Sequence, residues 1–166
     1  LESKRSGKGS YLAEMASNVN NSLCEGNESN MFTTAFIAIL NIETGELEYI
    51  SGGHNPILIG TQHNGYEYLE KTKGILMGIM PDVTFSVGKR TMLPGETLVL
   101  YTDGVTEAEN TNKELFGDEP FQKLLGTLPE QNPETLVSVV REILADHAGD
   151  APQSDDITLL ALHYEG

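Results

Sequence analysis

LVLYTDGVTEA, residues Leu98–Ala108, is the point where an uninterrupted apolar strand runs into Asp103-Gly104. A carboxylate at the end of a buried strand is held rigidly at a cleft, and the core beside it cannot solvate its charge; that position suits a metal ligand. The same two residues also form one of the commonest hairpin turns, because Asp and Gly both tolerate positive φ. These eleven residues leave both readings open.

Working upstream, Pro94-Gly95-Glu96 turns a strand over Val83–Met92 into the strand Thr97–Tyr101. FTTAFIAILNI, Phe32–Ile42, is apolar at both parities and rich in β-branched and aromatic residues, as in a strand buried on both faces. Glu43–Glu46 closes a hairpin onto Leu47–Ser51, Gly52–Pro56 returns the chain as Ile57–Gly60, and His63-Asn64-Gly65 leads to Tyr66–Leu69. These turns predict a meander of four strands. A helix is predicted over Ser10–Glu25, with Leu12, Met15, Ala16, Val19 and Leu23 as its apolar stripe.

Downstream, Ala108–Gly117 reads as loop and Glu119–Leu125 as a short helix. Asn132-Pro133-Glu134 caps a helix that runs to about His147 and buries Leu136, Val140, Ile143 and Leu144. Asp155-Asp156 then precedes a last strand, Ile157–His163. Antiparallel hairpins with helices set apart predict an α+β fold of layered sheets covered by helices, in one domain over residues 1–166.

The 25 acidic against 10 basic residues give a net charge of −15, which repels phosphate backbones and argues against nucleic-acid binding. No apolar run approaches the ~20 residues that span a bilayer, and the opening LESKRSGKGS carries no apolar leader, so a cytoplasmic location is expected. Cys24 is the only cysteine and has no partner for an internal disulfide or a Cys-rich metal site. SGKGS lacks the spacing of a phosphate-cradling loop.

Asp103 follows one core strand and Asp155-Asp156 precedes another. In antiparallel neighbours the end of one strand lies beside the start of the next, which would bring these carboxylates together. Hard oxygen donors so arranged suit Mg²⁺ or Mn²⁺, with water filling most remaining positions; the alternative is an acidic loop solvated at a sheet edge. His54, between Gly53 and Asn55, reads as a turn residue that serves hydrogen bonding, and Glu107 as a brace for its own loop. His63, His147 and His163 read as turn, helix-end and strand positions without partners.

The four segments LPGETLVLYTDGVTEAENTNKELFG (Leu93–Gly117), SGGHNPILI (Ser51–Ile59), GILMGI (Gly74–Ile79) and SDDITLLAL (Ser154–Leu162) closely resemble the SpoIIE/RsbU branch of the PP2C-like metal-dependent protein serine/threonine phosphatases. The resemblance covers nearly the whole chain from about Ser6. It implies a sandwich of two antiparallel sheets flanked by helices, with a dinuclear Mn²⁺ or Mg²⁺ centre at one end. It also implies that Asp103, in Y-T-D-G, and Asp155, the first Asp of D-D-x-T, are metal ligands, with Asp156 a weaker candidate. The implied reaction is attack of a metal-activated water on a phosphoserine or phosphothreonine. The implied partner is a phosphorylated signalling protein such as an anti-sigma-factor antagonist.

The family's first strands are absent from this sequence, so the domain is expected to be N-terminally incomplete. Where the family has D-V-S-G-K-G before its first helix, this chain has Lys4-Arg5-Ser6-Gly7-Lys8-Gly9, and Lys4 stands in the register of a bridging aspartate. A cation there opposes metal binding, and little phosphatase activity is expected of the 166 residues by themselves. Two functions stay open: a phosphatase domain of a regulatory protein, or a catalytically inactive PP2C-like regulatory or binding module. An uncovered sheet edge also predicts a homodimer or larger assembly joined through Phe32–Ile42.

Overall fold

A computed structural model describes residues 11–128 and 132–166; Ser10 and the Lys4–Gly9 stretch lie outside them. Two compact units emerge from interleaved segments. One runs to His54 and resumes over Glu70–Thr91, and the other combines Asn55–Leu69 with Met92–Gly166.

The first unit holds helix α1 (Tyr11–Cys24) and a three-stranded sheet of β1 (Ala35–Leu40), β2 (Glu46–Gly52) and β5 (Gly88–Thr91), in the order β1-β2-β5. All pairings are antiparallel, from Ala35↔Gly52 to Leu40↔Leu47 and from Glu46↔Thr91 to Tyr49↔Gly88. The Tyr49 ring occupies the space above Gly88 that any Cβ would need. Helix α1 packs on β2, and Leu12, Ala16, Ile50, Met77 and Phe85 form the core of this unit.

The second unit holds the four-stranded sheet β4-β3-β6-β7, built from β3 (Leu58–Thr61), β4 (Gly65–Tyr68), β6 (Thr97–Tyr101) and β7 (Leu159–His163). Its helices are α2 (Asp103–Thr106), α3 (Asp118–Thr127) and α4 (Pro133–Ala148). Alternate strand residues Leu58, Val99 and Tyr101 point to Phe121 and Leu125 of α3 and to Leu136, Val140 and Leu144 of α4. Asn132 caps α4 by accepting hydrogen bonds from the amides of Glu134 and Thr135, with Pro133 in the first turn.

Four expectations need correction. The strand expected over Phe32–Ile42 as buried on both faces is β1, Ala35–Leu40, whose residues are half-buried or exposed because it is an edge strand paired only with β2 among the described residues. The four strands do not form one meander: β1 and β2 lie in one sheet, β3 and β4 in the other. The second edge of β2 is taken by β5 and that of β3 by β6, and Pro56 between them has no amide to offer a ladder. The strand over Val83–Met92 shortens to Gly88–Thr91 because the backbone before it bonds elsewhere: the Ser86 amide donates to Lys73 O at 2.8 Å and Ser17 Oγ to Val83 O at 3.0 Å.

The stripe of α1 is also rotated. Leu12, Ala16 and Asn20 are buried, while Val19 and Leu23 are 42% and 43% exposed. A fully buried asparagine is stable here because Asn20 Nδ2 donates to Met80 O at 2.9 Å and its Oδ1 accepts from the Gly78 amide at 3.0 Å. Next to it, Asn21 Oδ1 accepts from the Asp82 amide at 2.8 Å, and Asn27 Nδ2 donates to Gly78 O at 2.9 Å. The chain through Gly78–Asp82 is thus held to the helix by side-chain amides where no ladder exists.

Replacing Asn20 by Leu keeps the volume and removes both bonds, leaving a buried amide and carbonyl unpaired. We expect a loss of about 2–4 kcal/mol in urea unfolding, with faster hydrogen exchange at Gly78. Unchanged stability and exchange would show that the clamp is not needed.

Candidate metal centre

β6 and β7 pair from Thr97↔His163 to Tyr101↔Leu159, so the residues that follow β6 lie beside those that precede β7. Thr102 extends the pairing by one step: its amide donates to Thr158 O at 3.1 Å. Its hydroxyl donates to Asp156 O and accepts from the Thr158 amide, both at 2.9 Å. A hydroxyl can do both at once because it carries one proton and two lone pairs.

Asp103 then opens the four-residue helix α2, with Thr102 at the N-cap in extended conformation. The hairpin reading of Asp103-Gly104 is therefore wrong: neither residue takes positive φ, and the chain turns helically. Asp103 O accepts from the Glu107 amide at 2.8 Å, and Asp103 Oδ1 from the Gly104 amide at 3.2 Å. A Cβ on Gly104 would come within 2.5 Å of Asp156 O and 3.4 Å of Asp155 O. The glycine is needed for close approach of two backbones, since overpacking at such a contact forces one of them to move.

On the facing segment, Asp155 Oδ1 accepts from the Asp156 amide at 2.7 Å and Gln153 Nε2 donates to Asp155 O at 2.7 Å. The backbone of Asp155-Asp156 thus meets Thr102 and Gly104, on either side of Asp103. The side chains of Asp103, Asp155 and Asp156 are all exposed. Among the described residues, no group of three or more His, Cys, Asp and Glu side chains is arranged to hold a metal ion. The donor chemistry still fits Mg²⁺ or Mn²⁺, which bind through one or two carboxylates and fill the remaining positions with water and phosphate oxygens.

Tyr101, two residues before Asp103, is buried in the core of this unit with its ring edge-on to Phe121, centroids 4.8 Å apart. Burial, with the Tyr68 phenol and the Asp118 carboxylate adding to it, pushes the Tyr101 hydroxyl well above its ordinary value of 10, so it stays neutral.

His54 is half-buried beside Phe36, with ring centroids 6.3 Å apart. Glu107 is exposed and its carbonyl accepts from Ser154 Oγ at 3.5 Å. Two histidines expected to lack partners have them. His163 Nδ1 lies 2.9 Å from Thr97 Oγ1, and His147 Nε2 lies 3.2 Å from Glu114 O, with its ring edge-on to Phe116. Sequence reading passed over Thr102 and Gly104 as site residues; the signal was their place around Asp103, facing Asp155-Asp156-Ile157-Thr158.

Thr102→Val removes the strap while leaving the strand's bulk. Its partners are near solvent, so stability should fall by only about 1 kcal/mol in urea. Mn²⁺ affinity should fall by about 10–100-fold in a competition titration, the usual cost of losing a residue that orients ligands. Equal Mn²⁺ affinity would contradict a positioning role.

The family model described as Stage II sporulation protein E (SpoIIE) matches residues 3–165. Protein IcfG of Synechocystis is 34% identical over 139 residues, covering 84% of this chain and 22% of that protein. Phosphoserine phosphatase RsbU of Bacillus subtilis is 28% identical over 155 residues, covering 93% of this chain and 45% of that protein. The chain therefore spans less than half the length of either relative. Among solved structures, the RsbU and RsbW domains of Rv1364c from Mycobacterium tuberculosis superpose with a TM-score of 0.76 at 25% identity, over 95% of this chain and 44% of that one. The SiaA-PP2C domain of Pseudomonas aeruginosa does so with a TM-score of 0.79 at 18% identity, over 92% of this chain and 60% of that one, which bears out the PP2C-like α+β fold. The chain belongs to the SpoIIE family.

Proposed function

We propose that this chain is the greater part of a metal-dependent protein serine/threonine phosphatase domain that removes phosphate from phosphoserine or phosphothreonine of a signalling protein. The observation that carries the reading is the strapped end of β6 and β7, where Asp103 and the Asp155-Asp156 backbone meet through Thr102 and Gly104. The resemblance implies that Asp103 and Asp155 are metal ligands, with Asp156 a weaker candidate. Support for the substrate comes from the relative named phosphoserine phosphatase RsbU, and from the structure that contains RsbU and RsbW domains. The partner in this reading is a phosphorylated anti-sigma-factor antagonist in the cytoplasm.

Mn²⁺ or Mg²⁺ bound there would supply charge neutralisation for the phosphate and a water of lowered pKa. The protein's own contribution is position. Asp103 and Asp155 offer oxygens from two backbones fixed to each other, and their exposure leaves room for water and a phosphate. No Ser, Cys or His nucleophile is required of the chain. Self-association belongs to the same proposal: β1 pairs only with β2 among the described residues, and Ile39 on it is 48% exposed. Light scattering of the 166-residue chain should give at least twice the monomer mass and, after Ile39→Lys, the monomer mass; a wild-type monomer would remove this part.

In the full-length protein, Mn²⁺-dependent hydrolysis of a phosphoserine peptide is expected. Asp103→Asn and Asp155→Asn should each lower kcat/KM by more than about 100-fold, beyond the usual loss from residues behind the ligands. Activity that persists in either variant, or that ignores chelation of the metal, would contradict the proposal. A wild-type protein that binds the phosphopeptide without hydrolysing it would favour the inactive-module alternative.

A further inference from the structure

A groove of about 430 Å³ in the second unit adjoins the candidate metal centre. That is the size of a pocket that encloses a ligand or several side-chain groups. Its floor is small and apolar, made by Ala108 after α2 and by Leu144, Ala145 and Ala148 of α4. Residues 141, 144, 145 and 148 share one face of α4, so Arg141 stands at the rim of the same floor. The other wall includes Gly104 and Ser154, each one residue from a candidate ligand, Asp103 and Asp155.

Charge selects the occupant. The one acidic residue on the groove wall, Glu109, is already paired with Lys113 Nζ at 2.8 Å. Arg141 is exposed and pairs with no carboxylate among the described residues, in a chain with 25 acidic and 10 basic residues. The groove is therefore apolar with one unpaired cation among the described residues, Arg141, at its rim, inside a protein whose field is negative.

We propose that this groove is a specificity subsite that seats an apolar side chain of the phosphorylated substrate protein, with an acidic neighbour of that side chain on Arg141; the inference rests on the phosphatase reading above. An extended chain advances ~3.3 Å per residue, so a side chain in the groove and a phosphoserine at Asp103 and Asp155 belong to one short segment, about two or three residues apart. The apolar contact supplies affinity. The exposed Arg141 pair contributes selection among sequences more than binding strength, because solvent screens it.

The test uses the full-length protein and short phosphoserine peptides with Leu-Glu two or three residues before or after the phosphoserine, against Ser-Ser controls. Binding is read by fluorescence anisotropy, independently of turnover, and p-nitrophenyl phosphate hydrolysis reports on the centre alone. One Leu-Glu peptide should bind about 10-fold tighter than its control. Ala145→Arg, on an exposed position of α4, should abolish that difference while p-nitrophenyl phosphate hydrolysis stays within about twofold. Arg141→Glu should shift the preference from Leu-Glu to Leu-Lys. Equal binding of all peptides, or a preference untouched by Ala145→Arg, would overturn the subsite. Loss of the phosphatase reading would show separately, as a wild-type protein inert towards p-nitrophenyl phosphate whatever the peptides do.

Discussion

The hydroxyl of Thr102 donates to Asp156 O and accepts from the Thr158 amide, and the geometry of the candidate centre depends on those two bonds. β6 and β7 would splay where their ladder ends at Tyr101↔Leu159, because α2 carries one chain away and the other arrives from an exposed loop. The hydroxyl, beside the Thr102 amide that donates to Thr158 O, keeps the segments together for one further step. That step is the one at which Asp103 emerges. Gly104 completes the arrangement by having no Cβ, so that Asp156 O can approach the first turn of α2. Neither residue offers a charge; both decide where charge is held.

Exposure of the three aspartates follows from this design. They sit at the rim of a sheet whose buried positions, Val99 and Tyr101, are almost free of solvent. Carboxylates in such a place keep their hydration without a buried counter-ion, and a hard divalent cation that retains water meets little desolvation cost. The negative chain charge acts in the same direction for cations and against it for phosphate, so a phosphorylated substrate gains from a metal that reverses the local sign. The groove beside the centre, apolar with Arg141 at its rim, is a second place where the unfavourable field is offset.

Helices and strands were legible in the sequence because their periods are local. The α4 stripe Leu136, Val140 and Leu144, its Asn132-Pro133 start and the strand Thr97–Tyr101 stand where the pattern puts them. Sheet membership was not legible. A glycine-rich turn such as Gly52-Gly53 joins two strands of one sheet or of two with the same residues, and only the edges already filled by β5 and β6 decide between them. Asn20 was missed for a related reason. An apolar count rejects a polar residue from a core stripe, whereas the fold admits it because unpaired Gly78 and Met80 backbone groups are there to bond. At the candidate centre the Y-T-D-G and D-D-I-T motifs marked the acidic residues; that Thr102 rather than a turn holds them is a tertiary fact.

The central claim is that Asp103 and Asp155 serve one cation site held by this strap. Mn²⁺ binding to the full-length protein, followed by water-proton relaxation through a double-mutant cycle of Asp103→Asn and Asp155→Asn, tests it most directly. Ligands of one site are strongly coupled, so the double variant should bind Mn²⁺ no more weakly than the poorer single variant, within about twofold. Independent, additive losses, or no loss from either substitution, would contradict it.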